Sequence, residues 1–337
     1  MVWLATFWVY IKRRGTLLGM ALLYSFTIVP MQLWGSLANH RDGVGYFADP
    51  LGKPSLLTYW KTVAEMSFGA VIQRRRQPSD LAFAAVEDSG DGVAVVDRES
   101  YMEFASAGPT DGPLVGVVIL PGAFVPPLAY APLARSLAQK GHSSYIVRFD
   151  FDLATDGWER IGEIIPPLDT TAVDDNAAAA AGAAGEQCGE TDSCPVANST
   201  PTKWVLLCHS MGAMAMEKWY PENSARVHGV AYMGSGNMIG DAMAGATVPS
   251  LLLRGSRDPF TPPEALEKSA HKRPKDEETV VVEGGNHRGF AHYTRQPLDW
   301  EATISPQEQQ GIVVDALVDF IARRVVAGEP SKASTAP

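Results

Sequence analysis

Apolar runs that suit buried strands alternate along the chain with stretches whose apolar residues recur at helical spacing. Residues 114–120 read LVGVVIL, and such an uninterrupted apolar run is typical of a strand buried on both faces. Residues 128–139 then repeat apolar positions every three or four residues, which predicts a helix that ends at Gly141. Two short antiparallel strands are predicted over 92–106. The other predicted strands are 144–149, 204–208, 227–233, 250–254 and 279–282, and the other helices are 211–220, 263–271 and 305–326. This alternation indicates an α/β fold, a mostly parallel, doubly wound sheet with helices on both faces.

An uncharged run of 20 residues, 15–34, stands near the N-terminus and has the length of a membrane-spanning helix. Three basic residues at 12–14 precede it, so the positive-inside rule predicts a single-pass anchor with the rest of the chain on the non-cytoplasmic side. A cleaved signal peptide followed by secretion is the alternative, because small residues at 36–38 offer a cleavage site. A third interpretation is a buried or membrane-surface helix, since Pro30 interrupts the run.

The rest of the chain divides by composition. The Ala- and Gly-rich stretch 170–202 buries little apolar area, so it is expected to be a mobile insertion. Cys188 and Cys194 within it are close enough to form a disulfide in an oxidising compartment, although two free thiols fit the spacing equally well. The expected organisation is an anchor or signal segment at 1–40, a linker with an amphipathic helix at 41–90, a main domain at 91–327 and a disordered tail at 328–337.

Composition narrows the classes of partner. The 337 residues are 46% hydrophobic and carry a formal net charge of −10. Nucleic-acid binding is not expected, because it needs clustered Lys and Arg to neutralise phosphates. Three cysteines in no metal-ligand spacing predict neither a disulfide scaffold nor a metal site.

Three chemically suggestive residues each follow a predicted strand. Ser210 comes directly after WVLLCH, Asp258 follows SLLLRGSR, and His287 follows VVVEGGN. The carboxyl ends of parallel strands share one edge of the sheet, where open α/β folds place their functional sites. A serine at a sharp strand-to-helix turn, followed along the chain by Asp and then His, is the order of the hydrolase triad on such sheets. If Asp258 is not the acid, Asp150 or Asp152, after an earlier strand, become the candidates.

A fourth strand end supplies backbone donors. The stretch PGAF at 121–124 can turn an N–H of Ala123 or Phe124 toward the same edge, opposite the N–H of Met211. Such donors stabilise the oxyanion that forms when a serine attacks an acyl carbonyl.

Several stretches of the sequence also resemble those of a known family. The matching stretches are VVILPGAFVPPLAYAPLARSLAQKG, YIVRFDFDLA, WVLLCHSMGAMA, LLLRGSRDPFT, VVEGGNHRGFAHY and ISPQEQQ. They are similar to the α/β-hydrolase fold-5 family, near the dienelactone-hydrolase and esterase-lipase group. The resemblance implies the α/β-hydrolase fold, with Ser210 as nucleophile, Asp258 as acid and His287 as base. Two residues depart from the family: Cys208 replaces the usual Gly of the nucleophile elbow, and Phe124 stands where a polar residue is frequent.

The expected function is therefore that of a membrane-tethered serine hydrolase acting on a small-molecule ester, with no metal or organic cofactor. An acyltransferase that uses the same acyl-enzyme, or a non-catalytic binding protein on a hydrolase scaffold, remains an alternative.

Overall fold

A computed structural model describes residues 76–106, 113–167, 201–237, 239–294, 296 and 298–331, with the side chain of Phe151 left aside. The expected membrane segment at 15–34, the two cysteines at 188 and 194, and most of the insertion lie outside the described residues. Across the part of the chain that is described, no helix has both the length and the hydropathy of a membrane span.

Eight strands form one sheet in the order β1-β2-β4-β3-β5-β6-β7-β8. The first two pairings, of β2 with β1 and with β4, are antiparallel, and all the others are parallel. The predicted mostly parallel sheet, including its antiparallel pair at the start, is confirmed. The strands are β1 Ala94–Asp97, β2 Tyr101–Ala105, β3 Val115–Leu120, β4 Ser144–Val147, β5 Lys203–His209, β6 Gly229–Met233, β7 Ser250–Gly255 and β8 Glu277–Val282.

Four of the described α-helices lie close to predicted positions but end differently, and two short ones, Asp80–Ala84 and Ile161–Ile164, were not predicted. The predicted helix at 128–139 splits into a 3-10 turn, Pro127–Tyr130, and an α-helix that starts only at Ala131. The last helix changes to π-helix over Ile321–Val326. The α-helices are α1 Asp80–Ala84, α2 Ala131–Gln139, α3 Ile161–Ile164, α4 Gly212–Asn223, α5 Pro263–Lys268 and α6 Pro306–Phe320.

Both faces of the sheet are covered, as the uninterrupted apolar strands predict. Within β3, Val117 and Ile119 belong to one core cluster and Val118 and Leu120 to the other. Helices α2 and α6 contribute to the first cluster, and α3 and α4 to the second. Side chains of a strand alternate between faces, so a strand sandwiched in this way must be apolar throughout.

The described domain begins earlier than the expected boundary at residue 91. Ser79 donates its backbone N–H to the carbonyl of His292 at 3.0 Å, and Thr294 donates to the carbonyl of Gln77 at 3.0 Å. Ala82 of α1 is fully buried. The segment 76–79 is therefore paired with the chain that follows His287, and part of the expected linker belongs to the domain.

Helix α6 starts with a capping box that the ISPQEQQ stretch encodes. The Ser305 hydroxyl accepts from the Glu308 N–H, and the Glu308 carboxylate accepts from the Ser305 N–H. Two backbone donors that the helix leaves without partners are satisfied in this way. The box fixes where α6 begins, and the side chain of the next residue, Gln309, contacts the backbone of Asn286.

Candidate active site

Ser210 occupies a strained turn between β5 and α4. Its φ is +50°, in the left-handed region that side-chain-bearing residues rarely adopt. Its backbone N–H donates to the carbonyl of Met233 at 3.1 Å, which holds the turn against the end of β6. This is the geometry of a nucleophile elbow, where strain at the turn lifts the serine hydroxyl above the sheet edge.

Asp258 and His287 meet as a buried acid–base pair. The Asp258 Oδ2 lies 2.9 Å from the His287 Nδ1, and both residues are at most 4% exposed. Asp258 follows β7 and His287 follows β8, as the sequence predicts. The Thr261 hydroxyl donates to the same Oδ2 at 2.8 Å, and the Phe260 N–H donates to Oδ1 at 2.8 Å. These donors fix the carboxylate, so Nδ1 of His287 faces an oriented acceptor.

Two glycines let these groups come together. A Cβ at Gly234 would lie 2.9 Å from both Asp258 Oδ2 and His287 Nδ1, so only glycine leaves room for the pair. A Cβ at Gly122 would lie 3.2 Å from the Cβ of Ser210, which shows that the loop after β3 passes directly beside the elbow. The loops after β3, β5, β6, β7 and β8 therefore converge on one edge.

The loop after β3 presents one free backbone donor. The N–H of Phe124 donates to the carbonyl of Asp152 at 2.7 Å, and the N–H of Gly122 donates to the Tyr130 hydroxyl at 2.8 Å. Between them, the N–H of Ala123 has no acceptor among the described residues. Ala123 and Phe124 were the two alternatives predicted to supply an oxyanion donor after β3. Because the Phe124 N–H already has an acceptor, Ala123 is the alternative that remains. Met211 stands at the N-cap of α4, where backbone N–H groups lack partners within the helix.

The loop that carries His287 is held by side chains that the sequence analysis did not single out. Gln309 accepts the N–H of Asn286 at 3.0 Å and donates to its carbonyl at 2.8 Å. Asp299 accepts the N–H of His287 at 3.1 Å and the N–H of Arg288 at 2.7 Å. Burial raises the pKa of Asp299 to about 6, against a lowering by the charge of His287. Gln309 belongs to the ISPQEQQ motif, which could have drawn attention to it. No sequence pattern identifies Asp299.

His209 and Tyr130 also escaped the sequence analysis. The Tyr130 hydroxyl lies 2.7 Å from the His209 Nδ1, and both side chains are fully buried. The His209 ring packs 4.8 Å from the His287 ring between centroids. Burial lowers the pKa of His209, and the neighbouring His287 lowers it further.

The carboxylate in contact with the ring of His287 is that of Asp258 and not that of either alternative acid. Asp150 pairs with Arg160 at 2.8 Å, and Asp152 has its backbone carbonyl bound to the loop after β3. Cys208, in place of the usual elbow glycine, points into the core and donates to the Ala231 carbonyl at 3.4 Å. Burial raises the pKa of its thiol to about 12, so it stays protonated. The described residues contain no cluster of His, Cys, Asp and Glu suited to hold a metal ion.

Several solved structures show a likeness to this chain at low sequence identity. Among solved structures, Est1E from Butyrivibrio proteoclasticus is 11% identical with a TM-score of 0.44, over 69% of this chain and 99% of that one. A ferulic acid esterase from Streptomyces cinnamoneus is 15% identical with a TM-score of 0.47, over 68% and 73% of the two chains. A monoacylglycerol lipase from Paleococcus ferrophilus is 14% identical with a TM-score of 0.41, over 65% and 98%. No curated protein sequence matches the chain significantly.

A family model supplies the assignment. The model of the alpha/beta hydrolase family matches residues 116–173 and 187–311, which together are more than half of the chain. The matched ranges include Ser210, Asp258 and His287, and they confirm the resemblance seen in the sequence. The chain belongs to the alpha/beta hydrolase family.

Proposed function

We propose that the protein is a serine hydrolase that cleaves carboxylic esters through an acyl-enzyme. The observation that carries this proposal is the buried 2.9 Å contact between Asp258 and His287 at the sheet edge where Ser210 occupies a left-handed turn. The three residues follow three separate strands of one sheet edge, in the chain order of the family's triad, which supports their assignment as nucleophile, acid and base.

The residue types define the steps. His287 takes the hydroxyl proton of Ser210 as the serine oxygen attacks the ester carbonyl. The tetrahedral oxyanion is met by the N–H groups of Ala123 and Met211. His287 returns the proton to the leaving alcohol as the carbon–oxygen bond breaks. Water, deprotonated by His287, then attacks the acyl-enzyme and releases the carboxylic acid and Ser210.

Asp258 supports both halves of this cycle. Its Oδ2 accepts from Nδ1 of His287, which leaves Nε2 as the nitrogen that exchanges protons with Ser210. Its negative charge stabilises the imidazolium that forms in each step. The hydrogen bonds from Thr261 and Phe260 hold this carboxylate in position before substrate binds.

A fluorophosphonate probe tests the proposal, because it forms a bond only with an activated serine. We expect the wild-type protein to be labelled and to hydrolyse 4-nitrophenyl esters, with a panel of acyl lengths defining its preference. Ser210→Ala should lose labelling and, by about a millionfold, turnover. Ser136→Ala, which changes a serine bound to the Pro132 carbonyl on α2, is the matched control and should keep both.

Activity of Ser210→Ala within tenfold of the wild type would reject this nucleophile. An ester product that accumulates when an alcohol is added would instead assign the acyl-enzyme to transfer.

We also propose that the hydrolase is tethered to a membrane through its N-terminal segment. The support is the sequence alone: an uncharged run at 15–34 preceded by three basic residues.

A further inference from the structure

The Tyr130 hydroxyl and the His209 imidazole form a buried polar pair to which the proposed chemistry gives no role. Both side chains are fully buried, and their polar atoms lie 2.7 Å apart. Burying a polar group away from water is costly unless it forms hydrogen bonds, and the contact between these two side chains offsets part of that cost. The position of this pair, between the loop after β3 and the loop of His287, suggests what it does.

The hydrogen-bond pattern favours one arrangement of the protons in the pair. Gly122 donates its backbone N–H to the Tyr130 oxygen at 2.8 Å. The tyrosine then has its own proton to donate, and the Nδ1 of His209 is the acceptor in reach. His209 is consequently neutral with its proton on Nε2, an atom without a hydrogen-bond partner among the described residues. The chain of donors runs from the loop after β3 to the residue that precedes Ser210.

This chain of hydrogen bonds begins beside the free backbone donor of the site, the N–H of Ala123. Gly122 is tied to Tyr130 and Phe124 is tied to the carbonyl of Asp152, so the peptide of Ala123 is held from both sides. Arg76 adds a third tie, since its guanidinium donates to the Ala123 carbonyl at 3.3 Å. An N–H between fixed neighbours points in one direction, which is the preorganisation that oxyanion stabilisation requires.

We propose that Tyr130 and His209 are positioning residues that aim the Ala123 N–H at the oxyanion and brace the ring of His287. The inference rests on the proposed function. Tyr130 acts through Gly122, and His209 acts through its place in β5 and its packing against His287, with 4.8 Å between ring centroids. Neither residue touches the reacting atoms.

The charge state of His209 agrees with this role. Burial lowers its pKa, and the charges of His287 and Arg76 lower it further. When His287 takes the proton of Ser210, the adjacent ring of His209 therefore remains neutral. A second imidazolium beside the first would repel it.

Tyr130→Phe is the direct test, because it removes one oxygen atom and leaves the ring in place. We expect kcat for 4-nitrophenyl acetate to fall by about 10- to 100-fold, less than the loss of a whole oxyanion donor. KM should stay within about twofold, since ground-state binding does not use the oxyanion donors. Affinity for phenylboronic acid, whose serine adduct is tetrahedral, should fall in parallel with kcat.

Tyr232→Phe is the matched control. Tyr232 is also fully buried, and its hydroxyl has no hydrogen-bond partner among the described residues. It lies in the core cluster on the opposite face of the sheet from Tyr130. We expect this variant to keep the kcat, the KM and the boronic-acid affinity of the wild type.

His209 is tested by two substitutions. His209→Leu removes the acceptor, and we expect a loss of kcat at least as large as that of Tyr130→Phe. His209→Asn places an oxygen near the position of Nδ1 and should recover part of that loss. The double variant Tyr130→Phe/His209→Leu should lose less kcat than the product of the two single losses, because both single variants already remove the hydrogen bond that the two residues share. If His209→Leu does not fold, the other two single variants still decide.

The outcomes separate the two proposals. A wild-type protein that neither reacts with the fluorophosphonate nor cleaves esters rejects the proposed function, and this inference with it. An active wild type whose Tyr130→Phe variant keeps its kcat and boronic-acid affinity, even with a lower melting temperature, overturns the positioning role alone. A rise in KM at unchanged kcat overturns it equally.

Discussion

The carboxylate of Asp258 accepts three hydrogen bonds, and only one of them serves His287. Asp258→Asn keeps the shape of the side chain but can present an NH₂ group to His287, which favours the wrong tautomer. We expect kcat to fall by about 10⁴-fold while KM changes little. Steady-state kinetics on 4-nitrophenyl acetate measure this. Asp241→Asn, at an exposed carboxylate, is the control.

A nearly silent Asp258→Asn substitution would mean that another carboxylate supplies the acid. Asp150 is already paired with Arg160, so Asp152 would be the next residue to substitute.

Asp299, which holds the loop of His287, makes the stability of the protein depend on pH. Burial raises its pKa to about 6, above the ordinary value of 3.8, so the folded state binds its proton more tightly than the unfolded state. The contribution of this group to the free energy of unfolding is therefore largest below pH 4 and declines as the pH rises through 6. Asp299→Asn removes that decline.

Relative to Asp299→Asn, we expect the wild type to lose about 2 kcal/mol of stability between pH 4 and pH 8, after allowance for solvent screening. Urea unfolding of both proteins across this range gives the difference directly, and any constant effect of the substitution cancels. A difference that is flat with pH, or that grows in favour of the wild type, would contradict this prediction.

At the residue scale, the sequence predicted the groups of the proposed triad because each follows an apolar strand that is itself recognisable. It did not predict the groups that hold them. Gln309, Asp299 and His209 act through contacts with residues 10 to 80 positions away, and no local pattern records such a contact. Phe124 shows the same limit, since the acceptor of its N–H belongs to another loop.

At the scale of elements, α4 packs so closely against the end of β3 that its first residue, Gly212, leaves no room for a side chain. A Cβ on Gly212 would lie 2.1 Å from the carbonyl oxygen of Leu120, a backbone atom that cannot move without the sheet. We expect Gly212→Ala to destabilise the fold by about 3 kcal/mol or more. Chemical denaturation measures this loss, and activity should fall as the elbow shifts.

Gly311 is the matched control because it is also a helical glycine, in α6, with nothing within 4 Å of an added Cβ. Gly311→Ala should stabilise the protein by about 0.5–1 kcal/mol, because alanine loses less backbone entropy on folding. Equal effects of the two substitutions would show that α4 does not depend on close packing at Gly212.

The ends of elements were harder to predict than their existence. The apolar period of 128–139 indicates a helix but does not distinguish the 3-10 turn of Pro127–Tyr130 from the α-helix after it. The distinction matters, because this turn places the Tyr130 hydroxyl under Gly122. The strand bounds, set by continuous apolar runs, moved by only one or two residues at most ends.

At the scale of the whole molecule, the tether is the prediction that remains to be tested. We expect alkaline carbonate to leave the full-length protein in the membrane pellet, because 20 uncharged residues hold it in the bilayer. A version that begins at Gly43 should stay in the supernatant and keep its activity. Release of the protein expressed from the full-length sequence, with an N-terminus mapped near Asn39, would establish signal cleavage and secretion instead.

The pairing of residues 76–79 with the stretch around Tyr293 has a mechanical consequence for any such tether. Among the described residues, the most N-terminal attachments are the two hydrogen bonds of this short ladder and Arg76, whose guanidinium lies over the Tyr293 ring, 5.3 Å from its centroid. Tyr293 lies six residues after His287, and Arg76 also grips the loop of Ala123. Tension on the tether would therefore act on the loops of His287, the proposed base, and of Ala123, the proposed oxyanion donor, before it acted on the sheet.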